Sequence, residues 1–416
     1  MTLSEELVWR GHIKDKTFSD VAWLDTPRTF YLGADCSSAD SLTIGNLAIF
    51  MLAKRLNAAG WKTILLVGGA TSLIGDPGGK DDERQIKDRA EIAANVAGIK
   101  QQVQKLFAGA EFTLVDNYDW FKAINFLDFL RDVGKLYSMT ELVQRDFISE
   151  RMGEGGSGIS YAEFSYTLIQ GYDYWQLYKD YGVVLQIGGS DQWGNMLSGV
   201  PLIRKKESAE VHALSAPLIL DKTTGKKFGK SEAGAVWLDP AQTSPTQFYQ
   251  FWINTDDLGV ADYLKIYTDL DQAAIAELME QHMAEPQART AQRTLAQEVT
   301  RLVHGAAAAA TAQEVTAYLT GQASIAAASD AALEAIRHEL PSIQSAPTSS
   351  IIEALVSANL APSNSEARRL IEGNAISLNG IKSVRENFQA SDFVSGRLLL
   401  RRGKAFKDSA LVELGD

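Results

Sequence analysis

Cysteine and histidine are scarce in this chain: one and five among 416 residues. Cys36, being alone, excludes an internal disulfide and a thiolate zinc site, and it suits a reducing, cytoplasmic setting. No protein-held metal is expected. Histidines 12, 212, 282, 304 and 338 fall outside every stretch dense in Gly, Asp and Lys, which argues against imidazole acid–base chemistry. No apolar run approaches the roughly 20 residues of a membrane span. Met1-Thr-Leu-Ser-Glu-Glu6 has neither the basic start nor the apolar core of a signal peptide. Basic residues are outnumbered, 40 against 52, for a net charge of −12. That balance argues against blanket nucleic-acid binding but permits a local basic patch, because charges are screened over about 8 Å.

What is present is ordinary globular material, 45% hydrophobic and 22% charged, long enough for two or three domains. Residues 1–28 read as a helical lead-in anchored by Trp9, Ile13, Phe18 and Trp23. In the stretch 29–46, apolar Phe30, Tyr31 and Leu32 run through Ser, Asp and Gly residues into a helical pattern at Ile44, Leu47, Phe50, Met51 and Leu56. A strand feeding a helix through such a turn aims backbone N–H groups and the positive helix end at one spot, a place for phosphate or carboxylate. It is equally the ordinary unit of any α/β domain. Further strands are expected at 63–67, 112–115 and 183–187, each ending in a Gly- or Asp-containing turn. Strands alternating with helices read as a parallel sheet with its site at the carboxyl ends. The expected fold is thus α/β, a Rossmann-like catalytic domain over 1–232.

Within it, 118–180 is too long for a connection and reads as a helical insertion, aromatic either for core packing or as a dimer surface. Residues 233–340 lose strand signals and gain Ala, Gln and Glu at helical spacing, the texture of a helical domain. Residues 341–349 read as a linker, and 350–416 as a small α+β module. Between 367 and 407 it carries nine basic and three acidic residues, a balance of +6. In an acidic chain that points to RNA or DNA contact, or else to a solvated basic face.

Lys226-Lys-Phe-Gly-Lys-Ser231 places three lysines on a Gly-containing loop that can fold over a triphosphate. A Walker A loop is excluded, because it requires glycine at 224, where threonine stands. Asp76-Pro-Gly-Gly-Lys80 likewise lacks the hydroxyl residue after its lysine.

Taken together and in order, the stretches 30–46, 68–84, 163–173, 186–195 and 226–240, with the basic module at 368–380, resemble the bacterial tyrosyl-tRNA synthetases, class I enzymes, over essentially the whole chain. The resemblance implies ATP-dependent activation of L-tyrosine and transfer to tRNA(Tyr), magnesium bound with ATP, a homodimer, a helical anticodon-region domain and an S4-like RNA-binding module. Carried over residue by residue, it pairs Tyr31 and Asp173 with the substrate phenol. Asp76, Tyr166 and Gln170 fall to its ammonium group, with Thr71 and Gln192 nearby. Gly33, Asp35, Gly45, Gly189 and Asp191 fall to the nucleotide. Lys227, Lys230 and Ser231 match the mobile loop that closes on pyrophosphate, and Lys80 and Arg84 line the second stretch. Arg368, Arg369, Lys382 and Arg385 are the expected RNA contacts.

The first signature departs from the family. Thr43 and Asn46 replace both of its histidines, and the run from Asp35 to Thr43 is one residue longer. Asn46 retains an N–H donor, whereas Thr43 offers a short hydroxyl that never carries charge. An unreplaced donor to the developing charge costs about 3–4 kcal/mol. Ser37 or Ser38 stands where the family's threonine hydroxyl is expected, and Leu32 replaces a polar contact. Two readings compete: a working synthetase whose lysine loop compensates, and a catalytically weak RNA-binding or regulatory relative. The complete phenol pocket favours the first. A third, tyrosine adenylation for an acceptor other than tRNA, sits poorly with the basic module.

Overall fold

A computed structural model describes residues 1–37, 40–76, 88–144, 146–153, 156, 158–231, 234–403 and 408–415. Lys80, Arg84 and Ser38 lie outside the described residues, as do the side chains of Lys230 and Ser231. The chain divides into two compact units, 1–239 with 256–277, and 240–255 with 278–416.

The first unit is built on six strands: β1 (Asp15–Lys16), β2 (Thr29–Ala34), β3 (Lys62–Val67), β4 (Thr113–Asp116), β5 (Leu185–Gly189) and β6 (His212–Ala216). Their order is β1-β6-β5-β2-β3-β4. β2 to β6 pair in parallel and β1 caps the edge antiparallel. The chain moves outward from β2 through β3 to β4, then returns to the other side of β2 as β5 and β6. The crevice at this switch point opens beyond the carboxyl ends of β2 and β5. The expected strands fall within a residue or two of these bounds. β6 went unseen because His-Ala-Leu-Ser-Ala shows no strand periodicity. Its polar groups are satisfied by partners distant in sequence, with His212 O accepting from Tyr174 Oη at 2.7 Å and Ser215 Oγ donating to Asp15 at 2.8 Å. The lead-in holds the helix Leu3–Arg10 and the 3-10 turn Val21–Asp25, with β1 between them.

Residues 256–277 join this unit through the helix Val260–Tyr267. Its terminal carbonyls, which lack intrahelical donors, accept from two buried arginines. Arg10 donates to the Lys265 and Leu270 carbonyls at 2.7 and 2.8 Å, and Arg55 to Thr268 O at 2.7 Å. Composition places a boundary near 233, whereas compactness keeps this helix with the sheet. Two short strands, β7 (Lys230–Ser231) and β8 (Gly234–Ala235), form a separate ribbon.

The second unit packs the helices Pro245–Ile253, Thr290–His304, Ala306–Leu319 and Asp330–Glu339 with a five-stranded sheet. Its strands are β9 (Ser342–Ser345), β10 (Ile376–Leu378), β11 (Ile381–Lys382), β12 (Arg397–Arg402) and β13 (Ser409–Leu414), in the order β11-β10-β12-β13-β9. β9 corrects the expectation of a linker over 341–349, since it pairs in parallel with β13. An edge strand needs backbone partners rather than apolar side chains, so its Pro- and Ser-rich flanks concealed it. Alternation splits the sheet's side chains between two cores. Leu398, Leu400, Ala410 and Val412 join Ile351, Leu355 and Ile371. Leu399 and Leu411 join Val315, Tyr318, Leu333 and Ile336 of the preceding helices.

One backbone contact ties these layers. Gly380, at φ +83°, lies so near Gly321 that a Cβ would fall 2.3 Å from its Cα. Gly380→Ala therefore combines a left-handed alanine, about 1–2 kcal/mol, with an overlap the backbone cannot yield to. We expect a loss of at least ~2 kcal/mol in the second unit, read as a lower calorimetric midpoint, with tyrosine binding unchanged.

Candidate active site

The crevice is a cleft of about 440 Å³. Tyr31, on β2, stands in register with Ile64 of β3 and Gln186 of β5. It is 2% exposed, and its Oη has no hydrogen-bond partner among the described residues. The Asp173 carboxyl shares this end of the cleft and is also buried. Its Oδ1 accepts from Trp120 Nε1 at 2.9 Å and its Oδ2 from Asn117 Nδ2 at 3.0 Å. Asn117 also donates to Thr71 Oγ1 at 3.1 Å, and its own carbonyl accepts from the Ala70 N–H at 2.7 Å. Burial pushes Asp173 up to about 7, with the two donors pulling against it. Burial, with the Asp173 charge second, holds the Tyr31 phenol well above its usual range.

Tyr166, Gln170 and Asp173 are presented on one face of the helix Tyr161–Tyr181, at spacings of four and three. Its start is secured by a capping box between Ser160 and Glu163. Arg151 reinforces it with two hydrogen bonds to Glu163, at 2.7 and 3.0 Å. Deeper along the cleft, Asp76 accepts from Gln192 and, at 3.2 Å, from Asn195 Nδ2. Asn195 is itself fixed by Thr167 Oγ1 at 2.9 Å.

Gly33, Asp35, Gly189 and Asp191 line the opposite end, at the tips of β2 and β5. Asp35 accepts from the Ser37 N–H and hydroxyl at 2.9 and 2.6 Å. Thr43, Gly45 and Asn46 border the same end at the start of the helix Ile44–Ala58. Asn46 Oδ1 accepts both the N–H and the hydroxyl of Thr43, each at 2.9 Å. That double bond fixes the amide's orientation and turns its NH₂ away from Thr43. Lys227 is exposed and lines the cleft from the ribbon.

The structure therefore brings together in one cleft the residues expected at a tyrosine pocket, those expected at a nucleotide, the helix tip and Lys227. Sequence reasoning missed Asn117, Trp120, Gln186 and Asn195. Asn117 directly follows β4, and a polar residue at a parallel strand's carboxyl end was the available signal. Among the described residues no His, Cys, Asp or Glu cluster is arranged to hold a metal. The basic module's side chains lie in the second unit. Arg368, Arg369 and Lys382 are exposed, while Arg385 pairs with Asp392 at 2.7 Å.

The sheet order and its strand-end cleft are those of a class I aminoacyl-tRNA synthetase. A family profile for class I tRNA synthetases of the W and Y type matches residues 25–320, and one for the C-terminal domain of SYY-like tyrosine–tRNA ligases matches 332–407. A tyrosine–tRNA ligase 2 of Bacillus cereus is 41% identical over 427 residues, covering all of both chains. A tyrosine–tRNA ligase of Streptomyces griseus is 43% identical over 99% of this chain and 98% of its own. Among solved structures, a C-terminally truncated mitochondrial tyrosyl-tRNA synthetase of Aspergillus nidulans superposes with a TM-score of 0.67 at 32% identity, over 75% of this chain and 92% of that one. The chain belongs to the tyrosyl-tRNA synthetase family.

A carboxyl raised to about 7 in the folded protein, from an ordinary 3.8, binds its proton more tightly folded than unfolded. Its contribution to stability is full below about pH 4 and is lost as pH rises through about 7. The ionised form, which can only accept hydrogen bonds, predominates above that value. We expect kcat/KM for tyrosine to fall about tenfold per pH unit below pH 7. Asp173→Asn should remove this slope while stabilising the empty protein at pH 8, both checked by rate profiles and thermal midpoints.

Proposed function

We propose that the cleft binds L-tyrosine with its phenol between Tyr31 and Asp173 and its ammonium group at Asp76, Tyr166 and Gln170, with Thr71 and Gln192 beside them. The single observation that carries this reading is the buried Tyr31 hydroxyl, without a partner among the described residues, opposite a carboxylate whose two oxygens already hold N–H donors. A phenol supplies the missing donor and acceptor together. Phenylalanine would leave Tyr31 unpaired at about 1–3 kcal/mol, with the Asp173 charge adding more.

The reaction is tyrosine–tRNA ligation in two steps. A tyrosine carboxylate oxygen attacks the α-phosphorus of ATP, and the bond from that phosphorus to the β-bridging oxygen breaks, releasing pyrophosphate. A hydroxyl of the tRNA's terminal ribose then attacks the tyrosyl carbonyl, loses its proton and displaces AMP. Neither step uses a protein nucleophile, so the chain contributes position and charge. Gly33, Asp35, Gly189 and Asp191 hold the adenosine. The N–H groups of the helix tip and the Asn46 amide donate to phosphate oxygens. Lys227, Lys230, Ser231, Lys80 and Arg84 meet the charge on the departing pyrophosphate. Magnesium enters as the substrate complex with ATP.

Arg368, Arg369, Lys382 and Arg385 form the RNA-binding face of the terminal module. A homodimer is supported by apolar side chains left bare on the insertion, with Phe126, Leu127, Met139 and Met152 each more than half exposed. Among the described residues no helix is long and apolar enough to cross a membrane.

Tyrosine-dependent exchange of labelled pyrophosphate into ATP tests the reading, and its absence from folded protein would reject it. Lys230→Ala is expected to slow this exchange by two orders of magnitude or more, the scale of a lost charge-stabilising donor, with tyrosine affinity unchanged. Arg368→Glu combined with Arg369→Glu should leave exchange intact, raise KM for tRNA about tenfold and flatten its salt dependence.

A further inference from the structure

The lysine-bearing segment is anchored just before β7. Phe228, directly after Lys227, stacks on Tyr263 with ring centroids 4.1 Å apart and planes 24° apart. Both rings are buried. Tyr263 belongs to the helix Val260–Tyr267, and the helix leaves room for its ring at Gly259, where a Cβ would lie 2.6 Å from it. The Tyr263 hydroxyl donates to Leu220 O at 3.4 Å. Beside it, Lys222 pairs with Asp262 at 3.1 Å, and Thr223 Oγ1 donates to Asp256 at 2.8 Å.

The ribbon's other side rests on the start of the helix Ile44–Ala58. Gly229, at φ +89°, lies so close that a Cβ would fall 2.4 Å from Ile44 Cγ1. Val236 N donates to Gly229 O at 2.9 Å, and Ile44 N to Val236 O at 3.1 Å. Arg55, from the same Ile44–Ala58 helix, holds the far end of the Val260–Tyr267 helix through Thr268 O. The Val260–Tyr267 helix is thus a strut. One end is tied to the helix whose tip borders the nucleotide end of the cleft, and near the other its ring supports the lysine-bearing segment.

Tyr263 itself does not line the cleft. We infer that Tyr263 is a positioning residue for tyrosine activation, its ring being the seat that sets where Lys227 and β7 stand relative to the helix tip at Thr43–Asn46. This rests on the role given above to the lysines. The tyrosine pocket is built from other elements, β2, β5 and the helix Tyr161–Tyr181. Loss of the seat therefore acts on rate and leaves tyrosine binding alone.

The test uses the full-length Tyr263→Leu, Tyr263→Phe and Lys227→Ala variants and the Tyr263→Leu/Lys227→Ala double variant. Tyrosine affinity is read by equilibrium dialysis, and tyrosyl-adenylate formation in single turnovers at saturating substrates. For a lost aromatic pair, Tyr263→Leu should form adenylate about 2- to 13-fold more slowly, with tyrosine affinity within twofold of wild type. Tyr263→Phe keeps the ring and should stay near the wild-type rate. In the double variant the Tyr263→Leu effect should shrink, because the lysine it positions is already gone. A wild-type rate for Tyr263→Leu, a parallel loss of tyrosine affinity, or full additivity with Lys227→Ala would overturn the inference. A wild-type rate for Lys227→Ala would instead overturn the lysine role at that position. Should Tyr263→Leu not fold, Phe228→Leu removes the other ring of the pair and is read against the same outcomes.

Discussion

The first unit is organised around a carboxylate sealed away from water beside a hydroxyl that has no hydrogen-bond partner among the described residues. Burying either group is costly, and the surrounding architecture sustains both. Asn117 and Trp120 hold Asp173, and Asn117 reaches onward to Thr71 and the Ala70 backbone. Ser160, Glu163 and Arg151 secure the helix that presents it. The reversal of strand order around β2 opens the crevice where these elements converge. Stability spent here is what a ligand bearing one donor and one acceptor at the same atom returns on binding.

Much of this was legible in the residues themselves. The apolar run of β3, the aromatic start of β2 and the Gly–Asp turns after the strands gave the sheet and the side on which its site lies. The spacing of Tyr166, Gln170 and Asp173 gave one helix face. Less legible were residues whose meaning lies in their partners. Asn117 and Trp120 are 56 and 53 positions from Asp173, and no local pattern joins them. β6 and β9 hide for a related reason, since strand pairing and, for β6, hydrogen bonds to residues distant in sequence support them without a periodic apolar signature. Asn195 was within view as the end of a Gly-rich stretch, but its task of holding Asp76 appears only once Thr167 is seen to fix it.

The altered first signature acquires a physical reading from the helix start. Where two imidazoles are expected, Thr43 and Asn46 form a closed pair in which both Thr43 donors converge on one amide oxygen. The threonine's hydroxyl is thereby consumed, and the asparagine is oriented so that its NH₂ group is the one offered outward. A neutral, pre-aimed donor does not titrate near neutrality as imidazole does. With the phenol seated as proposed, the pH dependence of activation would fall to Asp173 instead of to the signature.

The Gly380–Gly321 contact and the pairing of β9 have a consequence for how a long, irregular polyanion is gripped. Two recognition surfaces joined by a loose tether meet their target as separate events, the second governed by how far the tether wanders. Here the terminal sheet and the helices before it share a core and touch backbone to backbone, so their spacing is set by packing. If both surfaces contact RNA as proposed for the terminal module, an RNA that docks on one would find the other already at its final distance. One whose own dimensions do not match that distance would gain nothing from the second surface, and the rigid join would then act as a ruler for RNA shape.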